Sequence, residues 1–187
     1  MRHIRDSIIE NPIIGAIRNA DSDIDNIPQN IEVVFLLSSS ILTIRDRVQD
    51  LREAGKKVFV HVDLIDGLGR DNTAVSYIKD TVKPDGIIST KNNLLRYGRE
   101  IGLVTVQRLF LIDSLSFETG VNIIKNYRPD FVEVMPGIIP SAIEELSQQI
   151  DQPIIAGGML NRKHEIIQAL NAGATAISTT NRELWTL

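Results

Sequence analysis

The sequence predicts a compact (β/α)8 barrel with parallel strands, and three observations carry that prediction. Eight short apolar runs, many rich in valine and isoleucine, recur along the 187 residues. Amphipathic stretches of helical period lie between them, and glycines fall where such a stretch hands over to the next run. Alternation of this kind builds a parallel sheet covered by helices. An open doubly wound sheet shares the pattern, but eight units in so short a chain favour closure.

Taken in order, the strands read at 13–18, 32–38, 57–64, 86–90, 103–107, 131–135, 153–157 and 176–179. The stretch 41–54 sets Ile44, Val48 and Leu51 on one face, and 166–170 follows a comparable rule, so each strand is expected to be followed by a helix. Gly55, Gly102 and Gly173 stand just past a helical pattern and just before a strand, where a residue able to take positive φ ends a helix at little steric cost. No linker, low-complexity segment or long charge run interrupts the series, so residues 1–187 read as a single barrel domain.

The formal charge of −4, from 20 basic and 24 acidic residues, lacks the global positive excess that favours non-specific nucleic-acid binding. Any RNA contact therefore has to be local. Without cysteine there are no disulfides and no thiolate metal sites. The polar, charged start from Met1 to Asn11 is unlike a signal peptide, and apolar stretches such as 33–37 fall far short of the roughly 20 residues that span a bilayer. A cytoplasmic location without membrane contact is expected.

Strand side chains alternate faces. Along 57–64 the valines and Leu64 share one face, expected to pack on helices, while Phe59, His61 and Asp63 share the other. His61 and Asp63 thus aim into the barrel near the C-terminal end of the third strand, where barrels build their sites. Glu133 reads inward between Val132 and Val134, Gln107 reads inward beside Val106, and Arg18, Ser89 and Lys91 end their strands. Such a polar mouth is costly to bury unless its groups pair with one another or meet a polar ligand. Lys91 is the cation expected to contact either that ligand or Glu133.

The seventh strand runs into Gly157-Gly158 and the eighth into Ser178-Thr179-Thr180-Asn181. Loops after the last two strands of these barrels commonly bind phosphate. Paired glycines let backbone N–H groups approach phosphate oxygens, hydroxyls add donors, and a following helix N-terminus adds favourable partial charge. Gly137, after Met135-Pro136, closes the same cup. A tight βα turn explains paired glycines equally well on spacing alone.

Longer segments now identify a resemblance: VFVHVDLIDGL at 58–68, DGIISTK at 85–91, QRLFLIDS at 107–114 and PIIAGG at 153–158, with Pro129-Asp130, Glu133, Pro136-Gly137 and Leu184-Trp185. Over nearly its whole length the chain resembles the bacterial glycerol-3-phosphate-responsive antiterminators. Met135 before Pro136, and Met159-Leu160 after the glycine pair, depart from that family's pattern by apolar changes. The resemblance implies a regulator of glycerol uptake and catabolism genes that senses glycerol 3-phosphate and acts on the leader of nascent messenger RNA to prevent termination. A homo-oligomer is compatible with it.

A sensor of this kind needs no catalytic residue. The alternative is an isomerase, lyase or transferase acting on a small phosphorylated substrate, with Glu133 and Asp63, or His61 and Asp63, as its acid/base pair. His3, His61 and His164 lack the clustering of metal ligands, and although Asp63, Asp66 and Glu133 are the carboxylates a magnesium ion would use, no metal or cofactor is expected. Arg45, Arg47, Arg52, Lys56 and Lys57, with Arg2 and Arg5, form a local basic footprint that reads as a solvated helix face.

Overall fold

Eight parallel strands close into a barrel in the computed structural model, which describes residues 2–18 and 27–187, with side chains from Ile4 onward. In chain order the barrel strands are β1 (Ile13–Ile17), β2 (Val33–Leu36), β3 (Lys57–His61), β4 (Gly86–Ser89), β5 (Val104–Phe110), β6 (Phe131–Met135), β7 (Ile154–Gly157) and β8 (Ala176–Thr179). Each pairs with its neighbour in sequence, and β8 closes on β1 with Ile13 opposite Ile177. The helices are α1 (Arg2–Glu10), α2 (Ile44–Glu53), α3 (Asn72–Tyr77), α4 (Asn92–Glu100), α5 (Ser114–Tyr127), α6 (Pro140–Gln149) and α7 (Lys163–Asn171).

Alternation along the strands sorts the apolar residues into two layers. Ile14, Phe35, Phe59, Ile88, Val106, Phe131, Ile155 and Ala176 fill the barrel. Val34, Val60, Ile87, Leu109, Val132, Ala156 and Ile177 belong to the outer layer that packs against the helices. In α2 the residues Ile44, Val48 and Leu51 are buried, as the 3.6-residue period requires. Gly55, Gly102 and Gly173 take φ of 78°, 88° and 106° at the ends of their helical segments.

Helix α1 precedes the first strand. Its Ile4 and Ile8 join the inner layer, and Asn11 just beyond it donates to Glu32 Oε1 at 2.7 Å beside the start of β2. Lys57, the first residue of β3, bonds Ser7 of this helix. These contacts place α1 across the N-terminal end of the barrel as a plug.

Two local expectations change, and a third lies partly outside the described residues. The helix expected after β1 falls in part on residues 19–26, outside the described residues, and β8 is followed by a 3-10 turn, Arg182–Thr186, rather than an α-helix. Trp185 in that turn is buried and donates its indole N–H to Thr179 O at 2.9 Å. The third strand stops at His61, because Val62–Leu64 coil into a 3-10 turn and Ile65–Asp66 then pair with Ser39–Ser40 outside the barrel. Leu64 is consequently 48% exposed instead of packed on helices, and Asp63 lies in the turn rather than on the strand.

The fifth strand runs on to Phe110, three residues past its expected end, and Gln107 takes its outer face rather than the expected inner one. Val104 and Val106 belong to the inner layer, so Arg108 shares their face, while Gln107 has the parity of the outer-layer Leu109. The Gln107 amide nitrogen donates to Thr90 O at 3.1 Å and Arg108 O at 3.2 Å, joining the ends of β4 and β5.

Candidate functional site

Glu133 lies fully buried on the inner face of β6. A carboxylate in that position needs a counter-charge and hydrogen bonds. Arg108, its register partner on β5, donates Nε–H to Glu133 Oε2 at 2.6 Å, and Ser178 of β8 donates its hydroxyl to Oε1 at 2.6 Å. The second bond passes across β7, where Gly157 stands. A Cβ at Gly157 would lie 2.5 Å from Ser178 Oγ and 2.8 Å from Glu133 Oε1, so the absent side chain is what lets the two groups meet.

Above this cluster, at the C-terminal ends of the strands, is a cavity of about 80 Å³. Arg18, Arg108, Glu133 and Ser178 face it, together with Thr179, Thr180 and the Gly158–Asn161 loop. Gly158 and Met159 both adopt positive φ, 74° and 63°, which curls the main chain around the space. A side chain on Gly158 would also press within 2.7 Å of Met135 Cε. Two guanidinium groups face this space, one of them with its Nε–H given to Glu133, and guanidinium is the side chain whose chemistry suits a small oxyanion.

The structure therefore gathers Arg18, Glu133, Gly158, Ser178 and Thr179, five of the expected site residues, around one space. The others surround it or stand apart. Gly137 spends its N–H on Gly157 O at 2.6 Å, fastening the exits of β6 and β7 instead of offering a donor to the cavity. Glu165 occupies the start of α7, accepting from the N–H groups of Asn161 at 2.7 Å and Arg162 at 2.9 Å, so these helix-start donors serve their own chain. Lys91 leads into α4 outside the cavity wall, its N–H on Ser89 Oγ at 3.0 Å. The cation beside Glu133 is Arg108 rather than the expected Lys91. The sequence-based strand 103–107 stops just before Arg108 and so gives that residue no inward face; the signal for it is the need of a buried Glu133 for a cation on an adjacent strand.

His61 is inward and 2% exposed, and its Nδ1 has no hydrogen-bond partner. Burial, reinforced by the nearby Arg108 charge and opposed by Asp63, lowers its pKa to about 4, so the ring is neutral at pH 7. Asp63 braces the neighbouring strand: its carboxylate accepts from Ser89 Oγ at 2.8 Å, Thr90 N at 2.7 Å and Thr90 Oγ1 at 2.9 Å. Burial works to raise the Asp63 pKa, but these hydrogen bonds outweigh it and hold the group below the usual aspartate value.

The basic footprint breaks up on folding. Lys56 is buried and donates to Pro28 O at 2.8 Å, Lys57 pairs with Glu32 at 3.3 Å, and Arg52 donates to Lys83 O at 2.6 Å. The Arg2 side chain lies outside the described residues. No group of three or more His, Asp or Glu side chains gathers as a metal-ligand set among the described residues. None of their helices is long and apolar enough to cross a membrane.

Known proteins share both this fold and its sequence. A solved structure from Listeria monocytogenes, a glycerol uptake operon antiterminator regulatory protein, superposes with a TM-score of 0.89 at 33% identity, covering 93% of this chain and 94% of that one. A glycerol uptake operon antiterminator-related protein from Thermotoga maritima gives a TM-score of 0.85 at 33% identity, over 95% of this chain and 99% of that one. The Escherichia coli K12 protein YgcP is 35% identical over 178 residues, 95% of this chain and 93% of the relative. The family model for the glycerol-3-phosphate responsive antiterminator matches residues 13–185. With the eight-stranded barrel and the arginine-lined cavity in place, this match makes the chain a member of the glycerol-3-phosphate responsive antiterminator family.

Proposed function

We propose that the protein is a non-catalytic cytoplasmic sensor that binds glycerol 3-phosphate in the cavity at the strand ends and acts on leader messenger RNA to prevent termination. The observation that carries this reading is the pairing of Arg18 and Arg108 around a space of about 80 Å³. Guanidinium groups suit a phosphate dianion, and the remaining polar wall suits the hydroxyls of a small ester. Family membership supplies the particular ester and the RNA.

Sensing is favoured over turnover by the state of the acid and base groups. Both Glu133 oxygens already accept hydrogen bonds, from Arg108 and Ser178, and Asp63 is committed to β4. His61 is neutral but stands outside the cavity wall. Among the described residues the one carboxylate on the cavity wall is that of Glu133, with both oxygens already engaged, and no imidazole lines it.

Calorimetry with glycerol 3-phosphate tests the sensor. Binding should weaken about tenfold to a hundredfold in Arg18→Ala, the loss expected for a charge-assisted contact. A transcription-readthrough assay with leader RNA, with and without ligand, tests the regulatory half. Steady conversion of glycerol 3-phosphate into product by the purified protein would overturn the reading in favour of an enzyme.

A further inference from the structure

The family reading leaves open where the RNA is held. Of the nine aromatic side chains, eight are buried or half-buried, and only Phe110 is exposed, at 51%. Its position is not incidental. Phe110 ends β5 two residues beyond Arg108, on the same face, and its register partner is Met135. Arg108 and Met135 both line the ligand cavity, so the phenyl ring stands at the edge of the barrel mouth. Ile112 and Leu115, 83% and 71% exposed, continue the surface away from the opening.

Cations occupy the other part of this rim. Arg18, Arg162 and Lys163 are exposed, and the last two directly follow Asn161 of the cavity wall. The carboxylate nearest Arg162 and Lys163 in sequence, Glu165, is engaged by the backbone N–H groups of Asn161 and Arg162, and Asp113 on the apolar side accepts from Ser116 N at 2.8 Å. An exposed π face with lysine and arginine at the same end of the barrel is the chemistry of unpaired nucleic acid, whose bases stack on aromatic rings while cations take the phosphates. The chain's acidic net charge requires such contacts to be local.

We propose that the C-terminal rim of the barrel is the RNA surface, with Phe110 stacking an unpaired base and Arg162 and Lys163 contacting the backbone phosphates. This rests on the regulatory reading above for the identity of the partner as RNA. It adds a location and a physical link: the loop that walls the ligand cavity runs directly into the two phosphate-binding cations at the start of α7, so ligand binding acts on the RNA surface through that junction.

The test measures leader-RNA affinity by gel shift, with saturating glycerol 3-phosphate, for wild type, Phe110→Leu, Phe110→Trp and the double variant Arg162→Glu/Lys163→Glu. Calorimetry with the same ligand is run in parallel. Phe110→Leu keeps apolar bulk but loses the ring, and should weaken RNA binding about tenfold while ligand affinity is unchanged. Phe110→Trp should retain affinity and show tryptophan fluorescence quenched by RNA. The double variant should bind more weakly and with a shallower dependence on salt. Wild-type RNA affinity in Phe110→Leu overturns this site and points to a protein partner for the apolar rim. Failure of the wild-type protein to bind leader RNA, with or without ligand, overturns the regulatory reading itself.

Discussion

Protonating His61 would place a charge inside the barrel beside Arg108, which is why its pKa falls to about 4. In the unfolded chain the same group titrates near 6.5. Between these values the unfolded state binds more protons, so stability falls as pH drops from about 6.5 to about 4, and the full effect is about 3 kcal/mol. Urea unfolding across that range should show a shallower pH dependence in His61→Gln than in wild type; equal slopes would assign the effect elsewhere. Alternation alone places His61, Glu133 and Ser178 on inner faces, because their strands carry Phe59, Phe131 and Ala176 at matching positions. It cannot place Arg108 while the end of its strand is misjudged, since an arginine at a strand end reads as solvated. The need of a buried Glu133 for a cation calls for a partner on an adjacent strand, and the register that sets Arg108 opposite Glu133 identifies which residue it is.

Element boundaries were harder to read than element identities. Residues 57–64 alternate without a flaw, yet β3 ends at His61 and the chain coils. The reason lies on the next strand: Ser89 and Thr90 offer one backbone and two hydroxyl donors, and Asp63 leaves the strand to accept them. No pattern within 57–64 contains that information. Asp63→Ala should lose about 2–3 kcal/mol of stability at neutral pH, read by urea unfolding, with glycerol 3-phosphate affinity intact. Because the folded pKa is lowered, this contribution is present above the unfolded carboxyl pKa and disappears as pH falls through the folded value. A loss of ligand affinity equal to the loss of stability would return Asp63 to the binding site.

The whole barrel was legible because eight units of strand and helix leave few arrangements, and sequential pairing of all eight strands is the one found. Helix α1 was not, since nine polar and apolar residues ahead of the first strand carry no sign that Ile4 and Ile8 enter a barrel formed by the rest of the chain. Ile8 is fully buried, so Ile8→Ala should cost about 2–5 kcal/mol, checked by urea unfolding. A cost under about 0.5 kcal/mol, within the range of ordinary surface substitutions, would show that the helix is dispensable to the barrel.

That plug also settles the traffic of small molecules. With Phe35, Phe59 and Phe131 filling the barrel and Ile4 and Ile8 seated among them, the cavity lined by Arg18 and Arg108 opens, among the described residues, at the opposite end, past the rim that carries Phe110. A vessel stoppered below empties only from above. On the sensor and RNA-surface proposals, an RNA resting on that rim is its cap, and the ligand beneath escapes at the pace at which the cap lifts. Residence time, as much as affinity, is thereby handed to whatever sits on top.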